Sequence, residues 1–199
     1  MTGRDDTAGG SAAPVRLAVI IASTRVGRMG ETVAKWFAGR ARDRPDLAVG
    51  LLDLADYAFP DRYPERSTAS MRRFTAAVGE ADAFAVVTPE YNRSFPASLK
   101  QAIDYTYDEW QAKPAGFVAY GSGSSGLYAV EQLRTVFSAL HVVTMRDWVG
   151  LDLLGDDVAG SGEPYDTDDR ARAVAAMLDQ LTWWGRALRD ARRAQPYCS

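Results

Sequence analysis

The sequence predicts a doubly wound α/β sandwich: a five-stranded parallel sheet in the order 2-1-3-4-5, with helices on both faces. Three observations carry that expectation. Short apolar runs rich in branched side chains recur along the 199 residues, each bounded by turn formers. They are continuous rather than alternating with polar residues, as strands buried on both faces are. Segments with helical spacing separate them, and right-handed crossovers over five strands favour this order.

Arg16 to Ala22 is the first strand, and Ser23 to Gly30 the loop after it. The next helix carries Val33, Trp36, Phe37 and Ala41 on one face, and Pro45 closes the unit. Leu47 to Leu54 is the second strand. Asp56 to Pro64 reads as a loop with exposed aromatics, Tyr57, Phe59 and Tyr63. A helix from about Ser67 to Gly79 buries Met71, Phe74, Thr75 and Val78. Ala83 to Val87 is the third strand, followed by the loop Thr88 to Pro96 and a helix burying Leu99 and Ile103. Pro114 to Tyr120 is the fourth strand. A helix with Val130, Leu133, Phe137 and Leu140 follows, and His141 to about Met145, extended through Val149, is the fifth strand. Asp152 to Tyr165 reads as a mobile acidic loop. The last helix starts near Asp166 or Thr167, both good N-caps, with Val174, Met177, Leu178, Leu181, Trp184 and Leu188 as its apolar stripe. Residues 1–14 read as a disordered leader, 15–193 as one domain and 194–199 as a tail.

Composition narrows the function. Net charge is −3 with no basic run, which does not point to nucleic acid. No stretch approaches the roughly 18 apolar residues of a membrane helix, and no signal peptide is evident, so the expected location is the cytoplasm. Cys198 is the only cysteine, which excludes an intrachain disulfide and a multi-cysteine metal site. His141 is the only histidine and is read as structural; no metal site is expected.

Three strand-end loops carry the chemistry. Ser23 to Gly30 places hydroxyls, Arg25, Arg28 and two glycines between a buried strand and a helix N-terminus, where free N–H groups and the helix dipole suit a phosphate. The third-strand loop offers Pro89, Glu90, Tyr91 and Asn92 to the polar edge of a flat ring. The fourth-strand loop, Gly121 to Gly126, matches G-x-G-x-x-G, with Asp147 lying 21 residues beyond. A dinucleotide fingerprint is disfavoured, because only one strand and one helix follow it. Close backbone approach to a ligand explains these glycines better.

Residues 22–28 (Ala-Ser-Thr-Arg-Val-Gly-Arg), 89–104 (Pro-Glu-Tyr-Asn-Arg-Ser-Phe-Pro-Ala-Ser-Leu-Lys-Gln-Ala-Ile-Asp) and Gly126 with Glu131 to Arg134 resemble the NADPH-dependent FMN reductase family. The resemblance spans roughly Val15 to Val149. It implies a flavodoxin-like fold, FMN as cofactor, NAD(P)H as co-substrate, and a homodimer or homotetramer. By motif position, Ser23, Arg25, Arg28, Met29 and Gly30 would hold the phosphate. Pro89, Glu90, Tyr91 and Asn92 would flank the isoalloxazine, and Gly121, Ser122 and Gly123 would close over its edge. It implies ping-pong hydride transfer through flavin N5 to a small acceptor such as a quinone, flavin or azo compound, with no dedicated catalytic side chain.

The chain departs from the family pattern at Arg28-Met29-Gly30, where members often carry Ser-x-Asn, and at Ser125, where a glycine is frequent. It also has Tyr128 where an arginine is frequent. Two other readings compete: a one-electron carrier resembling flavodoxin, and a family member that binds a ligand or acts on a biosynthetic intermediate without flavin turnover. Tyr105, Tyr107 and Trp110 are either core or an oligomer face.

Overall fold

A computed structural model describes residues 13–153 and 167–198. Most of the expected leader and of the acidic loop after Asp152 lies outside these residues. The strands β1 (Val15–Ile21), β2 (Leu47–Asp53), β3 (Ala83–Pro89) and β4 (Pro114–Gly121) form a parallel sheet in the order β2-β1-β3-β4. Leu17 sits beside Ala83 and Ile21 beside Val87, so the central strands end level with one another. The helices are α1 (Gly30–Arg42), α2 (Ala69–Glu80), α3 (Ala97–Asp104), α4 (Leu127–Ala139) and α5 (Asp168–Ala194).

The fifth position is occupied, but by two short strands. β5 (Val143–Thr144) pairs with Pro114 and Ala115, and β6 (Val149–Asp152) pairs with Val118 to Gly121. The sheet thus has six strands with the expected order. The interruption is stabilised by Arg134, whose guanidinium donates to the carbonyls of Met145 and Arg146, so the unpaired backbone keeps its hydrogen bonds. His141 does not open the strand. It is exposed at φ 59°, in the turn after α4, with Nδ1 2.7 Å from the Tyr197 hydroxyl.

Side chains of β1 alternate between two cores, as the period of a strand requires. Val15, Leu17, Val19 and Ile21 pack with α1 and α5; Ala18, Ile20 and Ala22 pack with α2, α3 and α4. Full burial of an aromatic such as Phe37 or Phe74 contributes about 2 kcal/mol each. α1 buries Val33, Phe37 and Ala41 as expected, with Trp36 half-buried. α2 begins two residues later than expected, because Thr68 caps it by accepting from the Met71 N–H at 3.2 Å.

α5 departs from its expected stripe. Thr167 caps it, and Val174, Met177, Leu178 and Leu181 are buried, but the buried face then continues through Gly185 and Arg189. A Cβ on Gly185 would stand 2.7 Å from Val15 Cγ1, so the helix crosses β1 where only glycine fits. Trp184 is thereby turned to 37% exposure, beside Trp183 at 64%. The first aromatic loop also differs from expectation. Tyr57 and Phe59 pack against the core and only Tyr63 is exposed. Trp110 is fully buried and the Tyr105 hydroxyl donates to the Pro60 carbonyl, which leaves Tyr107 alone of that trio on the surface.

Candidate functional site

The carboxyl ends of β1, β3 and β4 open onto a cleft of about 340 Å³. It lies where the strand order reverses between β1 and β3, the place where open parallel sheets bind ligands. Arg25 to Met29 form one wall, Pro89 to Tyr91 another, and Tyr120 to Ser122 with Leu153 the third.

The first wall follows from how β1 ends. The Ala22 N–H donates to Val87 O at 2.9 Å, and Ser98 of α3 donates to the Ala22 carbonyl at 2.8 Å, which tie the strand end to β3 and α3. The chain then turns through Gly27 at φ 71° into α1. Met29 is the N-cap of α1 and lines the cleft, and no side chain caps the helix, so its first N–H groups have no side-chain acceptor. Arg28 ion-pairs through Nη2 with Asp53, at the end of β2. Its Nε is buried without a hydrogen-bond acceptor, a condition shared with Arg186 and Arg189. Arg25 is exposed and lies over the Tyr91 ring at 5.4 Å.

The second wall is a tight turn. Tyr91 and Ser94 exchange two backbone hydrogen bonds of 2.8 and 3.0 Å, and Asn92 and Arg93 both take positive φ, 51° and 65°. Positive φ at both central positions is the requirement of a type I′ turn. The Tyr91 hydroxyl reaches back to Ser23 Oγ at 3.1 Å and so joins the first wall to the second. Glu90 accepts from the Tyr128 N–H at 3.0 Å, which closes the N-terminus of α4 from a neighbouring loop.

The third wall depends on Gly126, at φ 89°. A Cβ there would stand 2.5 Å from Ala119 Cβ and 2.9 Å from the Tyr120 nitrogen, so the loop folds back on β4 only with glycine. Gly123 donates its N–H to Asp152 Oδ1 at 3.0 Å.

Of the residues singled out from sequence, Arg25, Arg28, Met29, Pro89, Glu90, Tyr91, Gly121 and Ser122 line this cleft. Ser23 and Gly30 are buried behind it; a Cβ on Gly30 would meet the Tyr120 hydroxyl at 2.8 Å. Asn92 sits at the exposed tip of the turn and Gly123 at the exposed tip of its loop, neither lining the cleft. Val26, Gly27, Tyr120 and Leu153 line it and were not singled out. Val26 and Gly27 lay inside the loop already chosen. Tyr120 carried a signal, an aromatic hydroxyl closing an otherwise apolar strand, whereas Leu153 is placed by the interrupted fifth strand.

The fold and the cleft at its switch point define the flavodoxin-like class. Within that class the chain belongs to the NADPH-dependent FMN reductase family, whose model matches residues 15–154. It is 31% identical over 155 residues to an NAD(P)H-dependent FMN reductase of Schizosaccharomyces pombe, covering 72% of this chain and 76% of the relative. A 2-hydroxy-1,4-benzoquinone reductase of Burkholderia sp is 26% identical over 184 residues, 86% of this chain and 97% of the relative. Among solved structures, the flavoenzyme NAD(P)H:(acceptor) oxidoreductase of Paracoccus denitrificans superposes with a TM-score of 0.71 at 23% identity, covering 87% of this chain and 98% of that one. The chain is accordingly an oxidoreductase of the FMN and NAD(P)H class.

Proposed function

We propose that the protein is an FMN-dependent NAD(P)H oxidoreductase that reduces a small acceptor of the quinone type in a ping-pong cycle. The observation that carries the reading is the coincidence of the uncapped α1 N-terminus, Arg25 and Arg28 on one wall of the switch-point cleft. The residues present fit the cofactor. An orphaned Arg28 Nε and the free first-turn N–H groups are donors in need of an anion. The Gly121–Ser122 wall lets backbone approach a flat ring closely, and Pro89 to Tyr91 offer that ring a polar edge and an aromatic face. FMN, when bound, supplies the hydride-accepting centre.

The chain's own part is binding, orientation and polarity. Arg28 is held by Asp53, so its fork is oriented before a phosphate arrives. Buried Ser23 stands behind the cleft and fixes Tyr91 through their hydroxyls. Glu90 is engaged with α4 through one carboxylate oxygen. No side chain of the cleft is assigned a proton-transfer role, which fits chemistry carried by the cofactor. The quinone class of acceptor is supported by the Burkholderia relative. As part of the same reading, the protein acts in the cytoplasm, where NAD(P)H is supplied, as a homodimer or homotetramer. Neither nucleic acid nor membrane is a partner in this reading; among the described residues no helix is long and apolar enough to cross a membrane.

The test is an absorbance spectrum of the purified protein, then anaerobic titration with NADPH and NADH, then addition of a benzoquinone. Flavin bands bleached by nucleotide and restored by quinone are the expected result. Protein that remains colourless after incubation with FMN would overturn the reading. Flavin that is reduced only through a separate reductase protein would instead identify a one-electron carrier.

A further inference from the structure

The turn that continues the second wall carries a third guanidinium, Arg93, next to the cleft-lining segment Pro89 to Tyr91 but not itself lining the cleft. Arg93 belongs to the Tyr91–Ser94 turn, whereas the first wall's Arg25 lies over the Tyr91 ring. Its guanidinium carbon lies 4.1 Å from the Tyr128 ring centroid, a close cation–π stack. Its backbone is held as firmly. The carbonyl accepts from Gln132 Nε2 at 2.9 Å, and Ser94 Oγ donates to the same Gln132 at 2.5 Å. Tyr128 is in turn tied to Glu90 of the cleft wall through its N–H. Among the described residues no carboxylate pairs with Arg93, whereas Arg28, Arg134 and Arg172 each hold one and Arg44 holds two.

A guanidinium stacked by its face and unpaired at its edge presents N–H donors in a fixed plane, the arrangement that recognises phosphate. The first wall already supplies Arg25, Arg28 and the α1 N-terminus for the flavin phosphate. The other phosphate-bearing reactant of the proposed reaction is the pyridine nucleotide, which must reach the same cleft from its open side. We propose that Arg93, braced on Tyr128, binds a phosphate of NAD(P)H and sets nucleotide affinity. This rests on the oxidoreductase reading above.

The experiment measures binding of NADP+ and NAD+ to the FMN-loaded protein by calorimetry, for wild type, Arg93→Ala and Arg93→Lys. Arg93→Ala weakens the recognised nucleotide by about 10-fold or more, the loss of one charge-assisted contact. Arg93→Lys recovers part of that loss, since it keeps the charge without the planar fork. A loss confined to NADP+ assigns the 2′-phosphate, and an equal loss for both nucleotides assigns the pyrophosphate; either supports the proposal. Nucleotide affinities that match wild type overturn it. So does a parallel loss of FMN affinity, which would place Arg93 in the flavin site. Wild-type protein that takes up no FMN would remove the oxidoreductase reading first, a failure visible before any variant is measured.

Discussion

At the amino-terminal end of the sheet, cations surround a buried carboxylate; at the carboxyl end they stack on aromatic rings around a cleft. Asp82, 1% exposed, accepts from the Arg16 backbone N–H and Nε at 3.1 Å and from Nη2 at 2.9 Å. Arg189 and Arg192 stand 3.5 and 3.7 Å from the same carboxylate. Arg189 also donates to the carbonyls of Ala13 and Pro14, and Lys113 donates to Val78 O and Gly79 O at the end of α2. At the other end Arg25 lies over Tyr91 and Arg93 over Tyr128, and Arg28 alone has a carboxylate. Cavity size does not separate the two. A concavity of about 570 Å³ adjoins Lys113, Arg192 and Tyr197, larger than the cleft. What separates them is what the cations face: a shared buried carboxylate and backbone carbonyls at one end, aromatic rings and a single carboxylate beside an open cleft at the other.

The largest effect that tests this contrast is expected from Asp82→Asn. It removes the counter-charge from three arginines, and with Arg16 partly exposed the expected loss is about 3 kcal/mol of unfolding free energy. Acid should act in the same way. Burial opposes the charge on Asp82, but hydrogen bonds from the Arg16 side chain and N–H outweigh it and hold the carboxyl below its usual range. A lowered folded value means stability present above the unfolded value of about 3.9 and lost as pH falls through the folded one. The gap between urea melts of wild type and Asp82→Asn should therefore begin to narrow as pH falls below about 4 and keep narrowing until pH passes below the folded value. Melts that stay parallel there would show that Asp82 is not the group being titrated.

Lys113 tests the same end with the opposite charge. Burial, and then Arg192, lower its amine to about 8. The folded protein thus releases this proton before the unfolded chain, whose lysine titrates near 10.4, so stability contributed at Lys113 rises between those values. Relative to Lys113→Met, wild type should gain on the order of 1 to 2 kcal/mol across that window. A difference that is flat with pH would mean that the amine stays charged on its two carbonyls.

The two ends were not equally legible in the sequence. The cleft was, because its parts are local: eight of the twelve residues singled out line it, and each lies in a strand-end loop whose glycines, prolines and arginines signal a turn or an anion site. The other four, Ser23, Gly30, Asn92 and Gly123, lie in the same loops but behind or beyond the cleft, since sequence shows which loop and not which way a side chain turns. The strand order was legible from the crossovers. The Asp82 cluster was not, because Arg16, Asp82, Arg189 and Arg192 are brought together only by the register of β1 with β3 and the path of α5. The α5 stripe failed for a related reason: Trp184 has the right period, but the close crossing at Val15 selects Gly185 instead.

Charge removal at the cleft should invert the pattern seen at Asp82. Arg28→Ala is expected to weaken FMN by about 10-fold while changing stability by less than about 1 kcal/mol. Arg189→Ala should do the reverse, lowering stability by about 2 kcal/mol with FMN affinity unchanged. Fluorescence titration of FMN alongside urea melts separates the two. If both variants lose stability and neither loses FMN, the contrast between the two ends fails.

The smallest effect is the sharpest about the cleft itself. Glu90 lines it, yet its carboxylate already accepts the Tyr128 N–H, and its β-carbon lies where a Cβ on Gly121 would stand 3.1 Å away. Gly126, the N-cap of α4, has no side chain to offer, so Glu90 supplies the missing cap from another loop. Glu90→Gln keeps an acceptor oxygen and loses only the charge facing the helix dipole, an expected cost of about 0.5 kcal/mol. Glu90→Ala loses the acceptor as well and should cost about 1 kcal/mol, the usual value of a cap. Both should retain FMN, because the wall they stand in is shaped by backbone. Should Glu90→Gln lose its flavin while melting like wild type, the carboxylate's charge would belong to the site, and an acceptor already used would have turned out to be a ligand.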